Sequence, residues 1–255
     1  MSDPEQPSAP VVIDARLPAL DGGPAMTLIE HLAELRRRLI IVVAVILVGA
    51  VAGFFVSSGI LRLLVDLLPA AYRTLYFTSP AGAFGAQLKI GGFTGLAIAM
   101  PVLLYQAYRF ITPGLTRRER RLIWPGLLAA LLLFVLGIGL GYLVLPYMLQ
   151  FLIGVAPPDI TSPLFTIDEY IGFVTTTLLA FGLVLEFPIV LIVLARVGIL
   201  SHAFLARRRR WAILFITVTA IVLTPGSDPI SPTIMGLVMY VLFEASLFII
   251  KRIRG

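Results

Sequence analysis

A chain of 255 residues that is 59% hydrophobic and only 13% charged, with a mean hydropathy of +0.99, is too apolar and too poor in charge for a water-soluble domain of this length. The absence of cysteine excludes disulfides, thiolate chemistry and Cys-type zinc sites. The net charge of +6 lies in clusters that each abut an apolar run, so there is no separate basic domain for nucleic acid, and anionic lipid headgroups are the partner such clusters suit.

Residues 1–25 are rich in Pro, Ala and acidic groups without periodicity, which predicts a disordered, solvated extension. Its start is acidic and the first apolar run begins only at Leu39, after an arginine cluster, so it does not read as a cleaved signal peptide. Thr27 and Glu30 then form a capping box, and Leu28, Leu32, Leu35 and Leu39 make an apolar stripe. This predicts an amphipathic helix that lies along the membrane and runs into the first span. On it Glu34 and Arg38 are spaced for an i, i+4 pair, whereas Glu30 and Glu34 share a face with like charge, which leaves a carboxylate available to another partner.

Residues 26–255 read as one membrane domain with six apolar runs, at about 39–56, 84–110, 122–149, 170–197, 211–224 and 233–250. Runs of this length satisfy their backbone in lipid as helices and not as barrel strands. The expected fold is an all-α integral membrane protein with six transmembrane helices. At about 1.5 Å per residue the fifth run reaches only about 21 Å, against a hydrocarbon thickness near 30 Å. It should thin the bilayer or be sheltered by its neighbours.

The breaks before span 1, between spans 2 and 3, between spans 4 and 5, and after span 6 carry Arg36 to Arg38; Arg117, Arg118, Arg120 and Arg121; Arg207 to Arg210; and Lys251, Arg252 and Arg254. The opposite breaks hold only Arg62 and Arg73, beside Asp66, Asp159, Asp168, Glu169 and Asp228. A bias of 14 basic residues to 2 predicts that both termini are cytoplasmic.

Several patterns suggest chemistry and have a plainer account. "GIGLG" at Gly137 to Gly141 lies inside an apolar run with no preceding strand, which fits helix packing and not a dinucleotide loop. "GSD" at Gly226 to Asp228 sits in a Pro-rich outer turn with no second acid or histidine near it in sequence. His31 and His202 are far apart and match no metal-ligand spacing. An intramembrane protease would need a catalytic pair at one depth, and the spans offer Glu186, Glu244 and Lys89. A secondary transporter with a buried acidic site is the alternative reading, with Pro101 and Pro188 as candidate helix breaks, although spans 1–3 and 4–6 show no internal repeat.

Four stretches carry a more specific message: "HLAELRRR" at His31 to Arg38, "FITPGLTRRERR" at Phe110 to Arg121, "FGLVLEFP" at Phe181 to Pro188 and "MYVLFE" at Met239 to Glu244. In this order and at these intervals they closely resemble the TatC family, the multispanning subunit of the twin-arginine protein translocase. The resemblance covers nearly all of Thr27 to Ile250. It departs from the family pattern near Leu67, in the outer turn "TPGSDPISP", and at Val238. It implies a receptor without covalent chemistry or cofactor, in the cytoplasmic-type membrane of a bacterium, archaeon or organelle. Such a receptor would bind the twin-arginine signal peptides of folded cargo proteins and self-associate in the receptor complex. It would recruit single-span TatA- or TatB-type subunits for export driven by the proton-motive force. By motif, Glu34 and Glu119, with Arg36 and Phe110 beside them, match the signal-peptide site; Glu186 and Glu244 match positions that dock a partner helix. A carboxylate suits the first role because it accepts the bidentate fork of a guanidinium, which lysine cannot supply.

Overall fold

The computed structural model describes residues 28–111, 123–157, 163–226 and 228–254. Among them the chain is a bundle of eight helices. These are α1 (Leu28–Val65), α2 (Pro80–Ile111), α3 (Ile123–Val155), α4 (Ile167–Val184), α5 (Phe187–Arg196), α6 (His202–Arg207), α7 (Arg209–Leu223) and α8 (Ile230–Arg254). A short 3-10 turn, Ala70–Tyr72, follows α1. One isolated parallel bridge, Tyr76 to Thr166, ties the α1–α2 connection to the start of α4.

Each apolar run has become a helix because in lipid its N–H and C=O groups find partners only within the segment. Five segments are long and apolar enough to cross a membrane: Ile29–Val65, Pro80–Phe110, Trp124–Val155, Ile167–Arg196 and Ile230–Arg252. The sixth, α7, has 15 residues, about 22 Å of helix against about 30 Å of hydrocarbon. Side chains close several ends. Thr166 Oγ1 accepts the Glu169 N–H at 3.4 Å and donates to the Glu169 carboxylate at 2.9 Å, and Ser201 Oγ accepts the Phe204 N–H at 3.1 Å to start α6.

Helix α1 is unbroken over 38 residues, about 57 Å at 1.5 Å per residue. The segment predicted to lie along the membrane therefore continues span 1 as the same helix, with no joint at which it turns flat. Leu32, Leu35 and Leu39 are exposed along it. Once the apolar face is continuous with the span, backbone hydrogen bonding favours one long helix over a bend with unsatisfied carbonyls.

Two glycine-lined crossings set the packing. A Cβ on Gly95 of α2 would stand 2.5 Å from the Ala50 nitrogen and the Ile46 oxygen of α1, and one on Gly49 would stand 3.0 Å from Gly95 Cα. Backbones so close exclude any larger residue. In the same way a Cβ on Gly137 of α3 would meet Phe181 O at 2.5 Å and Gly182 Cα at 2.7 Å on α4, and one on Gly141 would stand 3.1 Å from Phe181 Cβ, whereas Gly139 between them meets nothing within 4 Å, so two of the three "GIGLG" glycines form a packing surface. Helix α4 is the most buried of the spans. Its Ile171, Val174, Leu178 and Phe181 join Leu145, Met148, Met239 and Phe243 in the core.

The bundle has two chemically distinct ends. One carries the starts of α1 and α7 and the ends of α2, α5 and α8, with Arg36, Arg37, Arg38, Arg207 to Arg210, Lys251 and Arg252. The other carries Asp66, Asp168, Glu169 and Asp228. At this acidic end the Tyr170 hydroxyl donates to Leu64 O at 2.6 Å. Lys89 reaches across to Asp168, 2.8 Å from its carboxylate and 3.0 Å from its carbonyl oxygen.

Candidate functional site

At the arginine-rich end the first turns of α1 face the last turns of α2. His31, Glu34 and Arg38 fall on one side of α1 because offsets of three and four residues bring side chains into line. The Arg38 guanidinium donates to Glu34 Oε1 through Nε, at 3.0 Å, and through Nη2. Its Nη1 donates across the crossing to Gln106 Oε1 at 3.0 Å. Glu34 Oε2 is buried without a hydrogen-bond partner, and His31 Nδ1 lies 3.8 Å from it, beyond hydrogen-bond range. The His31 ring stacks on Phe110 at 4.2 Å between centroids and 15° between planes.

The result is a carboxylate with one oxygen engaged and the other buried without a partner, beside an aromatic platform at the end of α2. Tyr105 and Trp124, 6.3 Å apart, flank the α2–α3 connection as interfacial aromatics do. The i, i+4 pair of Glu34 with Arg38 that the spacing predicts is formed, which leaves one carboxylate oxygen without a partner. Phe110 is brought to Glu34 through His31. Arg36 is not: two residues from Glu34, it lies about 200° around the helix, exposed on another face. Glu119 lies outside the described residues. His31 and Gln106 are the members that sequence reasoning missed. The His31 stack and the Gln106 contact need α2, which no local pattern on α1 announces.

The second polar feature lies within the membrane-spanning part. Between α4 and α5 the chain makes a tight turn at Leu185 and Glu186: the Glu186 N–H donates to Leu183 O at 3.1 Å, and Glu186 O accepts from Ile189 at 3.0 Å and Val190 at 3.2 Å. Pro188, in the first turn of α5, has no N–H for the carbonyl of Val184, which is why the ladder breaks here. Pro101 by contrast lies inside an unbroken α2. A transporter built on two equivalent broken helices is therefore not the architecture seen among the described residues. Glu186 is only 8% exposed and its Oε1 has no hydrogen-bond partner. Tyr108 of α2 lies within electrostatic reach of both Glu186 and Arg196.

Glu244 is in a different situation. Arg209 of α7 holds its carboxylate at 2.9 Å, and the Tyr240 hydroxyl donates to it at 3.4 Å, closing the arginine-rich end of the α7–α8 hairpin. In the turn between α7 and α8 Gly226 takes φ +112°, a conformation glycine adopts without strain. Asp228 Oδ1 there accepts the Ser231 N–H at 2.7 Å and the Ser231 hydroxyl at 2.9 Å. Asp228 thus caps the start of α8 through Oδ1, while its Oδ2 is buried without a hydrogen-bond partner.

Comparison with known proteins agrees in one direction. The family description "Sec-independent protein translocase protein (TatC)" matches residues 30–237. A Sec-independent protein translocase protein TatC of Carboxydothermus hydrogenoformans is 37% identical over 234 residues, covering 90% of this chain and 94% of that one. Its counterpart in Aquifex aeolicus is 36% identical, covering 89% and 95%. A crystal structure described as the twin-arginine translocase receptor TatC superposes with a TM-score of 0.74 at 36% identity, covering 87% of this chain and 98% of that one.

Proposed function

The chain belongs to the TatC family of Sec-independent protein translocase proteins, and on that basis we propose that it is the receptor subunit that binds twin-arginine signal peptides of folded cargo proteins at its arginine-rich end. It is a multi-pass membrane protein of a translocase; the receptor reading assigns it recognition and assembly, with no bond made or broken.

One observation carries the reading: Glu34 holds an acceptor oxygen without a partner beside the Phe110–His31 stack, where the segment containing Glu119 leaves α2. Two acids near one another would take the two arginines of the peptide separately, each through a charge-assisted fork worth about 1.5–3 kcal/mol. The neighbouring arginines repel a basic peptide only at range, because at about 0.15 M salt their field decays within about 8 Å. In this reading the arginine-rich end is cytoplasmic.

Glu186 is the proposed docking point for a polar residue on the transmembrane helix of a single-span TatA- or TatB-type subunit. Its support is a buried acid with an unsatisfied oxygen beside broken backbone. Glu244 is a second docking contact, and a partner there must exchange with Arg209.

The test is site-specific crosslinking of a twin-arginine signal peptide to the membrane-inserted chain. Glu119→Ala should abolish the crosslink and Glu34→Ala should weaken it, with insertion unchanged. Undiminished crosslinking in both variants sinks the site assignment.

A further inference from the structure

We propose that the acidic end of the bundle carries a binding site for a membrane phospholipid with a primary-amine headgroup, its acyl chain seated in a groove between α3 and α4 and its ammonium on Glu169. The inference goes beyond the receptor reading above and stands independently of it.

The groove lies where the last turns of α3 meet the first turns of α4. Its volume is about 340 Å³, within the range of about 300–1,000 Å³ in which small ligands are held. Leu149, Leu152 and Ile153 of α3, Phe165 from the connection, and Tyr170 and Phe173 of α4 line it, and Glu169 is the one charged residue of the lining. Tyr170 adds no free hydroxyl, since its O–H is spent on Leu64 O at 2.6 Å. Val155 and Leu164, next to lining residues in sequence, are exposed. The apolar wall thus continues into surface that in a membrane meets lipid.

Glu169 is placed by the cap that begins α4. Thr166 Oγ1 donates to its Oε2 at 2.9 Å, the residue is exposed, and a carboxylate has room for about four hydrogen bonds, so acceptor capacity is left at the edge of the groove. Its neighbour Asp168 takes Lys89, at 2.8 Å, whereas Glu169 is in no salt bridge among the described residues. An apolar groove edged by an unneutralised carboxylate suits an amphiphile with an apolar tail and a cationic head. In a membrane that amphiphile is an amine phospholipid. A headgroup of net negative charge meets Asp66, Asp168, Glu169 and Asp228 at this end and is repelled. A primary ammonium brings three N–H donors and makes charge-assisted hydrogen bonds that a choline headgroup, which has no N–H, cannot make.

The test is native mass spectrometry of the full-length chain, purified in detergent and titrated with phosphatidylethanolamine, phosphatidylcholine and phosphatidylglycerol bearing the same acyl chains. The wild-type chain should hold the ethanolamine lipid on the order of threefold to tenfold more tightly than either of the others. Ethanolamine and choline lipids both have zero net charge, so their ratio isolates the hydrogen bonds from the general field. Glu169→Gln keeps the cap, because glutamine serves in a capping box as glutamate does, and should remove the ethanolamine preference. Asp66→Asn takes the same charge from the same end but lies outside the groove lining, and should leave the preference intact. Leu152→Trp fills the groove and should weaken all three lipids; if it is not recovered folded, Ala156→Leu narrows the groove from its rim and should act in the same direction. Equal retention of the three lipids by the wild-type chain overturns the proposal. So does an equal shift in Asp66→Asn and Glu169→Gln, which would trace the preference to the field of the whole end. Unchanged retention in the groove-filling variant overturns the groove as the seat of the acyl chain.

Discussion

At Glu186 a buried carboxyl group sits in the membrane-spanning part, with Tyr108 of α2 within electrostatic reach. Even on lenient insertion scales a charged acid in mid-membrane costs about 2.5–3.5 kcal/mol, so the site persists only with a compensating role. A docking contact is such a role, because a polar residue on a partner helix finds no competing donor in lipid and a bond of about 0.6–2 kcal/mol is enough to fix register. Glu186→Ala is expected to leave signal-peptide binding and protein level near the wild-type values while blocking transport through failed partner assembly. Glu186→Gln keeps the hydrogen-bonding capacity and should retain part of the activity. Transport assays paired with co-purification of the single-span partners check this; normal transport by Glu186→Ala would show that the carboxylate is not a docking site. At the other acid the expected order is reversed. Glu34→Gln should reduce peptide binding with little effect on partner recovery, since an amide offers one acceptor where the fork needs a charged pair.

Among the helices the crossings are governed by glycines whose substitution has sharply different predicted effects. Gly95→Ala places a methyl group 2.5 Å from backbone atoms of α1, and overpacking of that kind costs about 1–3 kcal/mol. Gly92→Ala, three residues away, meets nothing within 4 Å and should change stability by less than about 0.5 kcal/mol. Thermal unfolding of the two variants in detergent separates them; equal melting temperatures would mean that the α1–α2 approach is looser than described. This contrast also marks what the sequence could and could not reveal. The apolar runs announced their helices because lipid leaves the backbone no other solution, whereas the missing N–H of proline marked Pro188 and Pro101 alike as candidate breaks and only the chain at Pro188 breaks, α2 running on through Pro101. Which of Gly92 and Gly95 faces α1 was not readable, since both lie in the same apolar run and only the crossing distinguishes them. The Arg38–Gln106 contact spans 68 residues, and Lys89–Asp168 spans 79. Such pairs follow from tertiary packing, so Gln106 carried no local signal and Lys89 entered the sequence reading only as one of the charged residues of the spans. Arg36 shows the converse: motif matching groups it with Glu34, while helical geometry sends it to another face.

For the molecule as a whole the decisive quantity is the separation of charge between the two ends. Arg36 to Arg38, Arg207 to Arg210, Lys251 and Arg252 gather at one end, and Asp66, Asp168, Glu169 and Asp228 at the other. Connectivity alone requires this, because each span reverses the direction of the one before it. Positively charged flanks resist translocation, so the arginine-rich end is expected to face the cytoplasm. The chain contains no cysteine, which makes single-cysteine labelling unambiguous. Arg37 and Arg208 are exposed at the arginine-rich end, and Tyr76 is exposed in the connection between α1 and α2 at the opposite end. With a membrane-impermeant maleimide, Tyr76→Cys should label in cells with intact membranes. Arg37→Cys and Arg208→Cys should label only after the membrane is opened. Each variant removes at most one of 14 flanking basic residues, too few to invert the chain. Labelling of Arg37→Cys from outside would place Glu34 and its Arg38 partner on the side that signal peptides of cytoplasmic cargo do not reach, and the receptor reading would then fail on geometry, whatever the affinity of the site.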